Sequence, residues 1–144
     1  MSSSDPALYK RFTALKNTNP DLKTWISVGG WSMNDPDQPT ATTFSDLAGS
    51  IDAQNMFFAS VLSFLETYGF DGVDIDWCVY FRLFTSPSKF ITSCREYPVA
   101  PERSGKPTDY QNYVTFLQNF RNALQSSGHD YGLSITVSTL VVAS

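Results

Sequence analysis

Three short apolar runs alternate with three longer segments of helical spacing, and this order constrains the fold more than any other feature. The runs are "LKTWISVGG", "FDGVDIDW" and "YGLSITVSTLVV". Ahead of the first, Asp5-Pro6 supplies an N-cap acid and a proline at the first helical position. Leu8, Phe12 and Leu15 follow at helical spacing until "NTNP" breaks the pattern. After the first run, "SMNDPDQPT" reads as a polar loop. Residues 52–68 then predict a helix with Phe57, Val61, Phe64, Leu65 and Tyr68 on one face and Gly69 as its stop. Ahead of the third run, Thr108 to Gln111 reads as a capping box. It opens a helix with Tyr113, Phe116, Leu117, Phe120 and Leu124 on one face, closed by Gly128. Strands alternating with helices mean βαβ units and a parallel sheet, so the fold class is α/β.

Composition excludes several functions. The net charge of −4 and pI near 4.7 argue against a nucleic-acid partner, which needs a basic footprint. No apolar run is long enough to span a bilayer, so no membrane partner is expected. "MSSSDPALYKRF" holds no apolar signal region, so no secretory signal is expected in this chain. The two cysteines, Cys78 and Cys94, lie close together, and the rest of the chain has none for a disulfide framework or a cysteine-rich metal site. No cofactor, metal or obligate protein partner is expected. Aromatics at 15% suit a large core or a sugar-binding surface equally.

The second run carries the chemistry. Side chains on a strand alternate between faces, so Asp74 and Asp76 share one face and Val73, Ile75 and Trp77 share the other. Two neighbouring carboxylates repel, which favours a proton on one of them. An isolated D-x-D is more often a pair of exposed strand-end acids or a helix cap, by about two to one, because perturbed acids mark function only probabilistically. The following text changes that balance. "EYP" begins at Glu96, after 18 residues of different character, Cys78 to Arg95. Joining the flanks gives "FDGVDIDWEYPVAPERSG", with Glu96 two positions after Asp76 and on the same face. Three acids at alternate positions are what a general acid site at the carboxyl end of a barrel strand requires.

The joined string resembles the catalytic signature of family 18 glycoside hydrolases, the chitinases, and "WISVGGWS" resembles that family's S-x-G-G signature. The segment "EYPVAPERSGKPTDYQNY" is similar to the fungal killer-toxin-like subgroup. The resemblance implies a partial (β/α)8 TIM barrel, roughly its second to fifth strands with their helices, over residues 1–144 and interrupted at 78–95. It implies Glu96 as the acid that protonates the glycosidic oxygen and Asp76 as the residue that orients and stabilises the substrate N-acetyl group. Asp74 is implied as the inner acid sharing a proton with Asp76. Asp71, Gly72 and Tyr97 are implied as supporting motif residues, and Ser27, Gly29, Gly30 and Trp31 as substrate-binding, with Ser27, Gly29 and Gly30 shaping the barrel floor. Taken alone, Gly29-Gly30 is more simply a turn. The implied reaction is substrate-assisted, retaining hydrolysis of β-1,4-linked N-acetylglucosamine, with chitin or chitooligosaccharides as partner and an extracellular location. A chitin-binding lectin and an endo-β-N-acetylglucosaminidase are the alternatives. Glu96 speaks against the first, and the Trp-Glu-Tyr-Pro ending of the joined motif against the second.

The segment Cys78 to Arg95 holds no Gly, Asp or Glu and carries Arg82, Lys89 and Arg95. Its formal charge is therefore +3, leaving −7 elsewhere against −4 for the whole chain. Val79, Tyr80, Phe81, Leu83 and Phe84 crowd together, an odd make-up for an exposed loop. The Trp77 codon ends in G and the Cys78 codon begins TG, so a GT always opens the segment. Cys94-Arg95 is encodable as TGC-AGG, which closes it on AG and restores Trp77 directly before Glu96. The segment thus reads as an in-frame unspliced intron, or else as a true loop insertion. As written, Cys78 takes the position of the acid, and a thiol is a poor proton donor to a glycosidic oxygen. The sequence further predicts that the segment finds no packed place in the barrel. The later strands of the family, with their site Tyr and Trp, find no counterpart in this text.

Overall fold

The computed structural model describes residues 4–77 and 104–136. Helix α1 (Asp5–Thr13) runs into a 3₁₀ turn at Ala14–Asn17, followed by strand β1 (Trp25–Gly29). Helices α2 (Thr43–Ala48) and α3 (Ile51–Tyr68) precede β2 (Gly72–Asp76), and α4 (Asp109–Ser126) precedes β3 (Gly132–Ile135). The three strands form one parallel sheet in the order β1-β2-β3, with Trp25 opposite Gly72 and Gly72 opposite Gly132. These residues therefore form an α/β fragment of parallel strands and helices. The segment Cys78 to Arg95 and the residues Glu96 and Tyr97 lie outside the described residues, and with them the expectation about how that segment packs.

The core forms where the helices cover one face of the sheet. Val73 and Ile75 are fully buried and Trp77 is 2% exposed, each contributing roughly 1.5–3 kcal/mol by leaving water. Against them pack Phe58 and Leu65 of α3 and Phe116, Phe120 and Leu124 of α4. Phe58 and Phe120 stack with centroids 4.7 Å apart, joining the two long helices. A second aromatic group, Tyr9, Phe64 and Tyr68, fastens α1 to α3 through edge contacts at 5.2 Å.

The helix ends show how local chemistry placed these elements. Ser50 caps α3 by accepting from Ala53 N–H, and Gly69 ends it in the left-handed region at φ +76°. The expected capping box on α4 is not formed: Thr108 is helical and makes no side-chain cap. Asp109 acts instead, fully buried, accepting from Ser45 Oγ at 2.5 Å and from Lys106 N–H at 2.7 Å. A carboxylate that ties α2 to the start of α4 gains more than a hydroxyl facing solvent. Helix α2 was not anticipated; its six residues are too few to show a period, and burial of Phe44, Ser45 and Ala48 holds it.

Strand β1 is an apolar run in sequence but only half-buried in the fold. Ile26 and Val28 face the helices and are half-buried, whereas Trp25 and Ser27 are exposed on the other face. Among the described residues nothing packs over that second face, and β1 lies at the sheet edge.

Candidate active site

The face of the sheet turned away from the helices is built in rows. Strand register places Trp25, Gly72 and Gly132 side by side, then Ser27, Asp74 and Ser134, then Gly29 beside Asp76. Thr136 follows β3 and donates its N–H to Ile75 O at 3.2 Å, extending the pairing. Asp74 and Asp76 are thus on one face and Val73, Ile75 and Trp77 on the other, as the alternation predicts.

The lowest row is a plate. A Cβ on Gly132 would stand 2.1 Å from the Trp25 ring, and one on Gly72 would stand 2.8 Å from it. Two glycines in register therefore let the Trp25 indole lie flat across the sheet. This plate is made by Trp25, Gly72 and Gly132, whereas Gly29 lies level with Asp76 at the carboxyl ends of the strands.

Their conformation explains why they are glycines. Gly29 has φ +115° and Gly30 φ +116°. A Cβ on Gly29 would meet Asp76 O at 2.1 Å, and Gly30 N–H donates to that same oxygen at 2.9 Å. The backbone of β1 thereby closes against the end of β2 and turns away beside the second carboxylate. A Cβ on Gly30 would stand 4.0 Å from Asp76 Oδ2, an ordinary contact, and would meet no other atom of the described residues so closely. Trp31 follows immediately and is 51% exposed at the same end of the sheet.

The two carboxylates have opposite surroundings. Asp74 Oδ2 accepts from Ser27 Oγ at 3.0 Å and from Thr136 Oγ1 at 2.7 Å, and Asp74 Oδ1 accepts from Ser134 Oγ at 2.5 Å. Asp76 Oδ1 is buried and has no hydrogen-bond partner among the described residues. Burial pushes the Asp76 carboxyl above the ordinary carboxylate range, and the neighbouring Asp74 charge pushes it further. A carboxyl that keeps its proton to higher pH beside a second carboxyl group is the arrangement from which proton-donating chemistry is built.

Asp71 plays another part. It lies just before β2, at the opposite end from the carboxylate pair. Its Oδ2 accepts from Lys16 Nζ at 2.9 Å, Thr24 N–H at 2.7 Å and Thr24 Oγ1 at 3.1 Å. Burial raises this carboxyl, but the Thr24 backbone bond, the Lys16 and Thr24 side chains and the Lys16 charge together hold it below the ordinary range. Asp71 ties the residue before β1 and the 3₁₀ turn after α1 to the foot of β2.

Trp77 fixes the other end of β2. Phe44 stacks on it at 5.2 Å and Tyr113 meets it edge-on at 5.1 Å, so α2 and α4 clamp the residue next to Asp76. Ser134 and Thr136 were missed as site residues. Their signal was present in "GLSIT", where two hydroxyls alternate onto one strand face. Among the described residues, no group of three or more His, Cys, Asp or Glu is placed to hold a metal ion, and no helix is long and apolar enough to cross a membrane.

A parallel sheet with helices on one face and two acids on the other face of its central strand defines an α/β fragment with a candidate carboxylate site. The sequence pattern of the glycosyl hydrolases family 18 matches residues 1–143, and the chain belongs to that family. It is 38% identical to Chitinase A1 of Niallia circulans over 79% of its length, and 30% identical to Chitotriosidase-1 of Mus musculus over 98%. It spans only 13% and 25% of those two proteins. Among solved structures, the Group IV chitinase of Ostrinia furnacalis in complex with allosamidin superimposes with a TM-score of 0.69 at 28% identity. That match covers 97% of this chain and 32% of the other. Chitinase ChiA74 from Bacillus thuringiensis gives 0.65 at 36% identity, covering 88% and 17%.

Proposed function

We propose that this chain is part of the catalytic barrel of a chitinase, acting on β-1,4-linked N-acetylglucosamine polymers. The observation that carries the reading is the inequality of Asp74 and Asp76: one met by three hydroxyl donors, the other half-buried, with an unpartnered Oδ1 among the described residues and a raised pKa. The relatives are chitinases, and the three parallel strands fit part of an eight-stranded barrel whose interior rows are those described above. Residues 1–144 form one interrupted catalytic domain. The killer-toxin-like subgroup, an extracellular site of action and binding of chitin as partner belong to the same reading.

In it Asp76 receives the substrate acetamido group. Its proton and its carboxylate stabilise that group while the acetamido oxygen attacks the anomeric carbon, so no protein nucleophile is needed. Glu96 protonates the leaving glycosidic oxygen, with Ser27, Gly29, Gly30 and Trp31 beside the sugar. With Cys78 to Arg95 in place, 19 residues separate Glu96 from Asp76, where the joined motif has one. The chain as written therefore does not turn over chitin oligomers, since general acid catalysis alone supplies roughly 10²- to 10⁴-fold.

A fluorogenic chitobioside assay tests this with four proteins. They are the chain, the chain lacking residues 78–95, an eight-strand protein built on this sequence, and the same lacking 78–95. Turnover is expected only from the last. Hydrolysis by the chain as written, lost on Glu96→Gln, would overturn the account of the insert; no hydrolysis by any of the four would overturn the chitinase reading. Sequencing of spliced transcripts decides the intron: transcripts that all carry the segment would make it a true insertion.

A further inference from the structure

Three hydroxyls from two strands converge on one carboxylate, and the partner carboxylate two residues away receives none from the described residues. We propose that Ser134 and Thr136 are positioning residues that hold Asp74 in one orientation as a permanent acceptor, leaving Asp76 as the member of the pair that carries and releases the proton. The proposal rests on the chitinase reading for its purpose, but on geometry for its content.

The argument is one of donors and acceptors. A hydroxyl beside an ionised carboxylate donates its single hydrogen, and a carboxylate oxygen can only accept. Ser134 Oγ meets Oδ1 while Ser27 Oγ and Thr136 Oγ1 meet Oδ2, so both oxygens are held and the carboxyl plane cannot turn without breaking a bond. Protonating Asp74 would put a second hydrogen into one of these contacts and force that hydroxyl to reverse. Asp76 carries no such penalty: its buried Oδ1 faces no donor among the described residues, and its Oδ2 lies beside Gly30. Two of the three donors come from the third strand and the residue that follows it, sixty and sixty-two residues beyond Asp74. Docking of β3 against β2 thus completes the surroundings of the pair, and the S-x-T that ends β3 and follows it is as much part of the site as the D-x-D of β2. The charged group that acts on Asp76 is Asp74.

The test is a carboxyl-carbon NMR titration of the full chain, with crystal structures of the variants. In Ser134→Ala/Thr136→Val, the Asp76 midpoint should fall by about one pH unit, a tenfold loss of proton affinity, because the proton is then shared with Asp74. Asp74 should adopt two side-chain orientations. Thr136→Ser, which keeps the hydroxyl, should leave the Asp76 midpoint and the Asp74 orientation unchanged. Where the double variant does not fold, Ser134→Ala and Thr136→Val singly should each lower the midpoint by a measurable part of that unit. An unmoved Asp76 midpoint in the folded double or single variants, or an equal fall in Thr136→Ser, would overturn the proposal. Because no turnover is read, failure here is distinct from failure of the chitinase reading, which the chitobioside assay alone decides.

Discussion

Gly29 offers the sharpest test of the geometry at the carboxyl end of the sheet. Alanine there would put a Cβ 2.1 Å from Asp76 O and 2.9 Å from its carbonyl carbon, in a backbone with φ +115°. Left-handed strain of this kind costs a non-glycine residue roughly 1–3 kcal/mol. An ordinary carbon–oxygen contact is about 3.3 Å, so the ends of β1 and β2 must part by more than an ångström. That separation breaks the bond from Gly30 N–H to Asp76 O, 2.9 Å long, for a further net ~0.5–1.5 kcal/mol. The expected loss is therefore about 2–4 kcal/mol, a large share of the roughly 5–15 kcal/mol that stabilises a domain. Gly132 supplies the control, since its Cβ would also meet an atom at 2.1 Å. That atom belongs to the Trp25 ring, whose residue is 37% exposed and can swing aside, so Gly132→Ala should cost about half as much or less. Trp25→Ala should relieve Gly132→Ala and leave Gly29→Ala as it was. Urea unfolding followed by far-ultraviolet circular dichroism measures all of these. A Gly29→Ala midpoint no lower than that of Gly132→Ala would refute the reasoning.

Other outcomes follow from the same contacts. Trp77→Ala should cost about 3–5 kcal/mol in the same urea assay, because it empties the space between Phe44 and Tyr113. Lys106→Ala should cost under about 1 kcal/mol, since its ion pair with Asp46 is exposed on both sides. Asp71 has a folded-state pKa below the ordinary 3.8, so its contribution is present above that value and lost as pH falls through the lowered one. Acid unfolding of Asp71→Asn should therefore lack the stability loss that the wild-type chain shows just below pH 4. Asp76 has the opposite sign: the folded chain keeps a proton that the unfolded chain releases above 3.8, so stability falls as pH rises through its raised value. Asp76→Asn should be more stable than wild type at pH 7 and lose that advantage below pH 4, by thermal melts at both values.

The elements that periodicity could reveal were legible from the residues. The apolar faces of α3 and α4, the glycine stop at Gly69 and the two-faced character of β2 all appear where spacing placed them. Alternation alone was enough to put Asp74 and Asp76 together, because a strand has only two faces. What escaped was tertiary. Helix α2 is held by Phe44 under Trp77, a contact invisible in six residues of sequence. The capping box failed because Asp109 found a buried partner in Ser45, sixty-four residues away. The Trp25 plate and the Ser134–Thr136 clasp needed strand register, which a single sequence does not display until the neighbours are known.

The central claim is that the carboxylate pair on β2 serves a substrate acetamido group. The most direct measurement compares N-acetylated and de-N-acetylated chitobiosides as substrates of the eight-strand protein lacking residues 78–95. The account predicts hydrolysis of the first only, with Asp76→Asn cutting its rate by at least about a hundredfold, the scale of a lost proton-transfer group. Comparable hydrolysis of both substrates, or an Asp76→Asn protein as active as its parent, would contradict it.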